Sequence, residues 1–297
     1  LGQPLYRRFM TQAELDAEYD VERSVPDFMV HARHFIDESK LARHRLNCRL
    51  DVAYGPTLDE HLDLFPARRG PAPVVVFFHG GYWRMLSSKD FSMAGLGPAA
   101  LGAAVANVNY SLCPKVTIDE IVRQARAAVA WTHAHAADFG GDPDRIFVAG
   151  HSAGAHLAAM TLATDWAGDY GLPDDTIKGA LLVSGLYDLR PLPYCFVQPA
   201  LQLTADQVQR NSPMLSPPLR RDLPVIVSWG GAEPAEFRRQ SEDFLTAWQR
   251  AGNPGEPLCQ AEANHFTALY GMGDADSVLC RALARLMGLA RPSAGRR

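Results

Sequence analysis

Ile146-Phe147-Val148-Ala149-Gly150-His151-Ser152-Ala153-Gly154-Ala155-His156-Leu157 is the stretch that decides the fold. Its first four residues form a short apolar run suited to a strand buried on both faces. From Ala153 onward the alanine-rich run 153–166 predicts a helix. Between them Ser152 falls on a cramped strand-to-helix turn, where flanking glycines let neighbouring backbone approach without a Cβ. Such a turn lifts the hydroxyl above the sheet and sets it beside a helix N-terminus, which favours negative charge. The pattern implies a nucleophile.

The same alternation extends on both sides. Apolar runs at 74–78, 104–108, 180–183 and 225–227 read as further buried strands, with a weaker candidate at 257–261. Helix-length segments lie between and after them at 118–139, 235–251 and 277–289. Earlier, 46–54 and 62–65 alternate as two strands of a hairpin-like edge. Strand–helix alternation of this kind predicts an α/β architecture with a mostly parallel central sheet of about eight strands. Residues 1–45 are expected to form a helical N-terminal extension, with Thr11 and Glu14 spaced as a capping box. The Pro-rich region 191–222 is expected to leave the sheet as a cap-like excursion, and 291–297 to fray. No internal repeat is visible, so 1–297 is expected to be one domain.

Composition narrows the partners. The 297 residues are 47% hydrophobic and 21% charged with a net charge of −4, and no basic stripe exists to follow a phosphate backbone. A small molecule is therefore expected as partner rather than nucleic acid. No apolar run approaches about 18 residues, so no membrane span is expected. Residues 1–10 show no positive segment leading into an apolar core, so no secretory leader is expected. Cys48, Cys113, Cys195, Cys259 and Cys280 are scattered and odd in number. Free thiols in a reducing cytoplasm are the plain expectation. The oligomeric state is left open.

A serine nucleophile needs an oxyanion site, a base and an acid. His79-Gly80-Gly81-Tyr82-Trp83 follows the strand at 74–78. The backbone N–H groups of Gly81 and Tyr82, joined by that of Ala153, could meet a developing oxyanion, with His79 and Gly80 supporting the loop. Among ten histidines, His265 follows the last expected strand and is the candidate base. His151 should diverge from Ser152, His156 should pack under the sheet, and His133 and His135 face different ways on one helix. The acid should follow the strand at 225–227. Glu233 lies in the loop and Glu236 inside the next helix, and the loop position favours Glu233. Tyr82, Trp83 and Tyr110 are candidate walls of an acyl site, with Trp83 in the core as the alternative. No metal-ligand spacing is present, and neither metal nor organic cofactor is expected.

These motifs resemble the kynurenine formamidase (arylformamidase) branch of the α/β-hydrolases. His79-Gly80-Gly81-Tyr82-Trp83 is similar to the HGGxW signature of that family, and Gly150–Gly154 to its GHSAG elbow. Agreement continues through Gly185-Leu186-Tyr187-Asp188-Leu189, Asn211-Ser212-Pro213 and Glu236-Phe237-Arg238-Arg239-Gln240-Ser241, and spans nearly the whole chain. One departure is Glu233, where the family usually carries aspartate. The resemblance implies an α/β-hydrolase fold and release of formate from N-formylkynurenine through an acyl-enzyme. A carboxylesterase or arylamidase of other small substrates is the alternative. A non-catalytic binding protein on this fold would usually have lost the nucleophile or base, and Ser152 and His265 are both present.

Overall fold

A computed structural model describes residues 3–215 and 222–289. Its centre is an eight-stranded sheet. In chain order the strands are β1 (Arg49–Ala53), β2 (His61–Phe65), β3 (Ala72–Phe78), β4 (Ala104–Val108), β5 (Gly141–His151), β6 (Ile177–Val183), β7 (Val225–Gly230) and β8 (Gly255–Gln260). They lie in the order β1-β2-β4-β3-β5-β6-β7-β8. β1–β2 and β2–β4 pair antiparallel, and every later pair is parallel. The hairpin-like edge and the parallel centre expected from the sequence are both there.

The pattern of side chains explains the order. β3, β4 and β7 are buried along their whole length, as strands covered on both faces must be. β1 at the edge is largely exposed and irregular in register. The covering layers are α1 (Gln12–Tyr19), α2 (Phe28–Arg45), α3 (Ile118–His135), α4 (Ala153–Leu162), α5 (Ala235–Arg250) and α6 (Val278–Leu286). The expected capping box opens α1: Thr11 Oγ1 accepts from Glu14 N, and Glu14 Oε2 accepts from Thr11 N, both at 3.2 Å. Ends shift by a few residues from the sequence reading. α4 stops at Leu162, where the sequence suggested Trp166.

Between β6 and β7 the chain leaves the sheet through short helical turns at 192–194, 198–201, 205–210 and 213–215. The rest of the expected excursion, 216–221, and the tail 291–297 lie outside the described residues. All the parallel strands run the same way, so the loops after β3, β5, β6, β7 and β8 emerge along one edge of the sheet. That edge is where open α/β sheets hold their ligands.

Candidate active site

Ser152 sits between β5 and α4 with φ +56° and ψ −120°, a conformation costing a non-glycine residue about 1–3 kcal/mol. The elbow is held by packing. A Cβ on Gly154 would lie 2.0 Å from the carbonyl oxygen of Phe78, so only glycine lets α4 start against the end of β3. The Ser152 amide donates to Val183 O (2.9 Å), tying the elbow to β6.

The candidate acid and the candidate base lie within hydrogen-bonding distance. The Nδ1–H of His265 donates to Glu233 Oε2 at 2.8 Å, and both side chains are almost wholly buried. The other carboxylate oxygen, Oε1, accepts from Ser184 Oγ and Gly230 N, each at 2.6 Å. A buried carboxylate with three donors is fixed in orientation, and it fixes the imidazole with Nε2 free as acceptor. Glu236 lies elsewhere in the network. It accepts from Tyr19 Oη (3.0 Å) and Arg239 Nε (2.8 Å) in the first turn of α5.

The loop after β3 is a run of left-handed residues: Gly81 φ +114°, Tyr82 +50° and Trp83 +55°. A Cβ on Gly81 would stand 2.2 Å from Met85 O, so both φ and space demand glycine. Among the described residues no backbone carbonyl takes the N–H of Gly81 or Tyr82. Ala153 opens α4, where a first N–H has no intrahelical partner. His79 braces the loop through Nδ1–H to Gly80 O (2.7 Å) and stacks on Tyr110 with ring centroids 4.1 Å apart. Burial pushes the His79 imidazole down to about 4, so it is neutral near pH 7.

Ser152 and His265 open into a cavity of about 100 Å³. Its apolar walls are Phe28, Phe35, Ile36, Leu86, Phe91 and Phe266. Tyr82 also lines it, whereas Trp83 and Tyr110, which the sequence placed there as well, do not. The left-handed turn drives Trp83 into the core, edge-on to His156 at 4.8 Å. Tyr110 is buried beneath the loop, its hydroxyl donating to His79 O at 2.7 Å. His156 donates through Nε2 to Asn211 O (2.7 Å) and is structural, as expected.

Sequence reasoning missed three features. Ser184 holds the acid, yet a serine after a strand carries no signal of its own. His151 donates from Nε2 to the backbone oxygen of His265 at 2.8 Å, steadying the base from the nucleophile's side. Burial, followed by the neighbouring His265, holds His151 well below its ordinary value and therefore neutral. The third is the roof made by α2. Phe28, Ala32, Phe35 and Ile36 share a helical face, and that spacing could have revealed an amphipathic helix.

One cluster has metal-ligand spacing, Asp51, His61 and Asp63 on β1 and β2. The ammonium of Lys89 already lies against both carboxylates, 2.8 Å from Asp51, so the two carboxylates are paired with a cation of the chain. Among the described residues no helix is long and apolar enough to cross a membrane.

A serine on a strained elbow, lining one cavity with a carboxylate-bound histidine and with a turn whose N–H groups donate to no backbone carbonyl among the described residues, is the arrangement of a serine hydrolase. A family model for the alpha/beta hydrolase fold matches residues 75–268. The chain is 33% identical over 293 residues to kynurenine formamidase of Danio rerio, covering 94% of this chain and 97% of the other. It is likewise 33% identical to kynurenine formamidase of Salmo salar, covering 87% and 88%. A crystal structure of a proposed thioesterase from Silicibacter sp. matches with a TM-score of 0.79 at 30% identity, covering 90% of this chain and 97% of that one. The chain belongs to the α/β-hydrolase fold family, in its kynurenine formamidase-like branch.

Proposed function

We propose that the protein hydrolyses a small acyl group, formyl foremost, from an aryl amine, with N-formylkynurenine the best-supported substrate. Ser152 is the nucleophile, and His265 takes its proton as the hydroxyl attacks the carbonyl. Glu233 holds the imidazole and stabilises the imidazolium that forms. The N–H groups of Gly81, Tyr82 and Ala153 receive the oxyanion; losing one such donor costs on the order of 10²–10³ in rate. His265 then protonates the departing amine, and water, activated by the same imidazole, releases the acid from Ser152.

The observation that carries this reading is the cavity itself. About 100 Å³ beside Ser152 and His265 is room for a small acyl group and part of a flat leaving group, and not for a long acyl chain. Its aromatic walls suit a flat ring and leave little space beside the acyl carbon. The similarity to two kynurenine formamidases supports the same choice. The five free cysteines support a reducing compartment, and we place the enzyme in the cytoplasm on that ground.

The test is a chain-length series of anilides and aryl esters. Formyl and acetyl substrates should give the highest kcat/KM, with steady loss as the acyl chain lengthens. Butyryl or longer esters winning severalfold would make the enzyme a general carboxylesterase.

A further inference from the structure

Burial divides the lining of the cavity into two ends. Ile36 and Leu86 are 40% and 43% exposed, and they form its mouth. Phe91 and His151 line it too, each 3% exposed, and they form its closed end. Phe91 belongs to the short helical segment Ser88–Gly95 between β3 and β4. Its ring packs against those of Phe35 (centroids 5.2 Å apart), His79 (5.8 Å), and Phe77 and His151 (6.4 Å each). Its backbone is pinned as well. The buried Ser39 of α2 donates through Oγ to the carbonyl of Asp90 (2.8 Å) and accepts from the amide of Met93 (3.1 Å), one bond on each side of Phe91. A ring held in both ways does not swing aside to admit further methylenes.

The order of events in an acyl-enzyme route assigns the two ends. The amine or alcohol departs while the acyl group stays bonded to Ser152, and water must then reach the acyl carbon. A leaving group at the closed end would be trapped behind the acyl-enzyme. The leaving group therefore lies toward the mouth, and the acyl group toward Phe91. We propose that Phe91 is the specificity residue that limits acyl length, stopping the acyl side short of a butyryl chain, while substituents on the leaving ring run out between Ile36 and Leu86. The inference deepens the reading above and rests on it for the acyl-enzyme route.

The experiment uses para-nitrophenyl acetate and butyrate for the acyl side, and phenyl and naphthyl acetate for the leaving side. Wild type should favour acetate over butyrate. Phe91→Ala should raise the butyrate-to-acetate ratio of kcat/KM by about tenfold or more, the worth of a methylene of pocket space, and Phe91→Leu by about threefold. Both should leave the naphthyl-to-phenyl ratio within about twofold of wild type, and Ile36→Ala should do the reverse. Each ratio is taken within one variant, so a general loss of activity or stability cancels. An acyl ratio within about twofold of wild type in both Phe91 variants, or a leaving-group ratio that moves as far as the acyl ratio, would overturn the proposal. If Phe91→Ala fails to fold, Phe91→Leu, which keeps most of the apolar volume, decides. Wild type favouring butyrate would overturn the proposal and the small-acyl reading together. Failure to turn over any anilide would defeat the formamidase reading alone, because every substrate in the series is an ester.

Discussion

Two regions meet across the cavity, and they are built on different terms. On one side are the loops after β3, β5, β7 and β8, which carry the oxyanion turn, Ser152, Glu233 and His265. Each is short, anchored to a buried strand, and held by hydrogen bonds such as Glu233 to Gly230 N at 2.6 Å. On the other side is the N-terminal extension, where α2 lays Phe28 against Phe266 (ring centroids 5.3 Å) and Phe35 against Phe91 (5.2 Å). On the function proposed above, the loops set which bond is attacked. The extension fixes what fits over the bond, by apolar packing that has no counterpart in the motif residues. Chemistry and selectivity are thus separable here, and substitutions on the two sides should fail in different ways.

After loss of the nucleophile itself, the largest effect belongs to the candidate acid on the loop side. Glu233→Gln should lower kcat by about two to four orders of magnitude on every substrate, since the wrong imidazole tautomer is then held. Glu236→Gln should instead lower stability, because Glu236 ties Tyr19 of the extension to Arg239. Steady-state kinetics beside denaturant melts separates the two. Equal kinetic losses would move the acid role to Glu236.

Acid sensitivity should come next, from His79 in the loop after β3 and His156 inside α4. Burial lowers His79 and His156 to about 4 from an ordinary 6.5. Between those pH values the unfolded chain binds protons that the folded chain does not. Stability therefore falls as pH drops from 6.5 toward 4, by about 1.4 kcal/mol per pH unit for each histidine. Denaturant midpoints at pH 7 and pH 5 check this, and a flat profile would contradict the burial of both rings.

On the roof, Ile36→Ala should raise kcat/KM for bulky aryl leaving groups relative to formanilide by about threefold to fivefold, the worth of a few methylenes of space. An unchanged ratio would show that α2 does not limit substrate size. The smallest effect tests the seam between the regions. Tyr82 Oη donates to the backbone oxygen of Tyr19 at 2.6 Å, so Tyr82→Phe should cost about 0.5–1.5 kcal/mol of stability, read by thermal or urea melts.

The same contrast explains what the sequence made legible. The elbow could be read because an apolar run, a glycine-flanked serine and an alanine-rich helix are consecutive residues, and the structure puts β5, Ser152 and α4 there. Glu233 could be chosen over Glu236 because one lies in a loop and the other in a helix. The roof could not be placed, because α2 meets the loops only after the chain has closed a sheet more than two hundred residues long. The core positions of Trp83 and Tyr110 are not legible for a related reason. Backbone turns of +50° and +55° at Tyr82 and Trp83 send successive side chains to opposite sides of the loop, and no residue type announces that. Ser184, with φ +51°, is hidden in the same way.

The central claim, that Ser152 attacks the acyl carbon and is held by the His265–Glu233 pair, is tested most directly by covalent capture. The wild-type enzyme and Ser152→Ala are each treated with an aryl fluorophosphonate and weighed intact, then assayed on formanilide. The account predicts one adduct per wild-type chain, mapped to Ser152, with none on Ser152→Ala and a loss of turnover of about four orders of magnitude or more. An adduct of the same stoichiometry on folded Ser152→Ala, or near wild-type turnover by that variant, would contradict it.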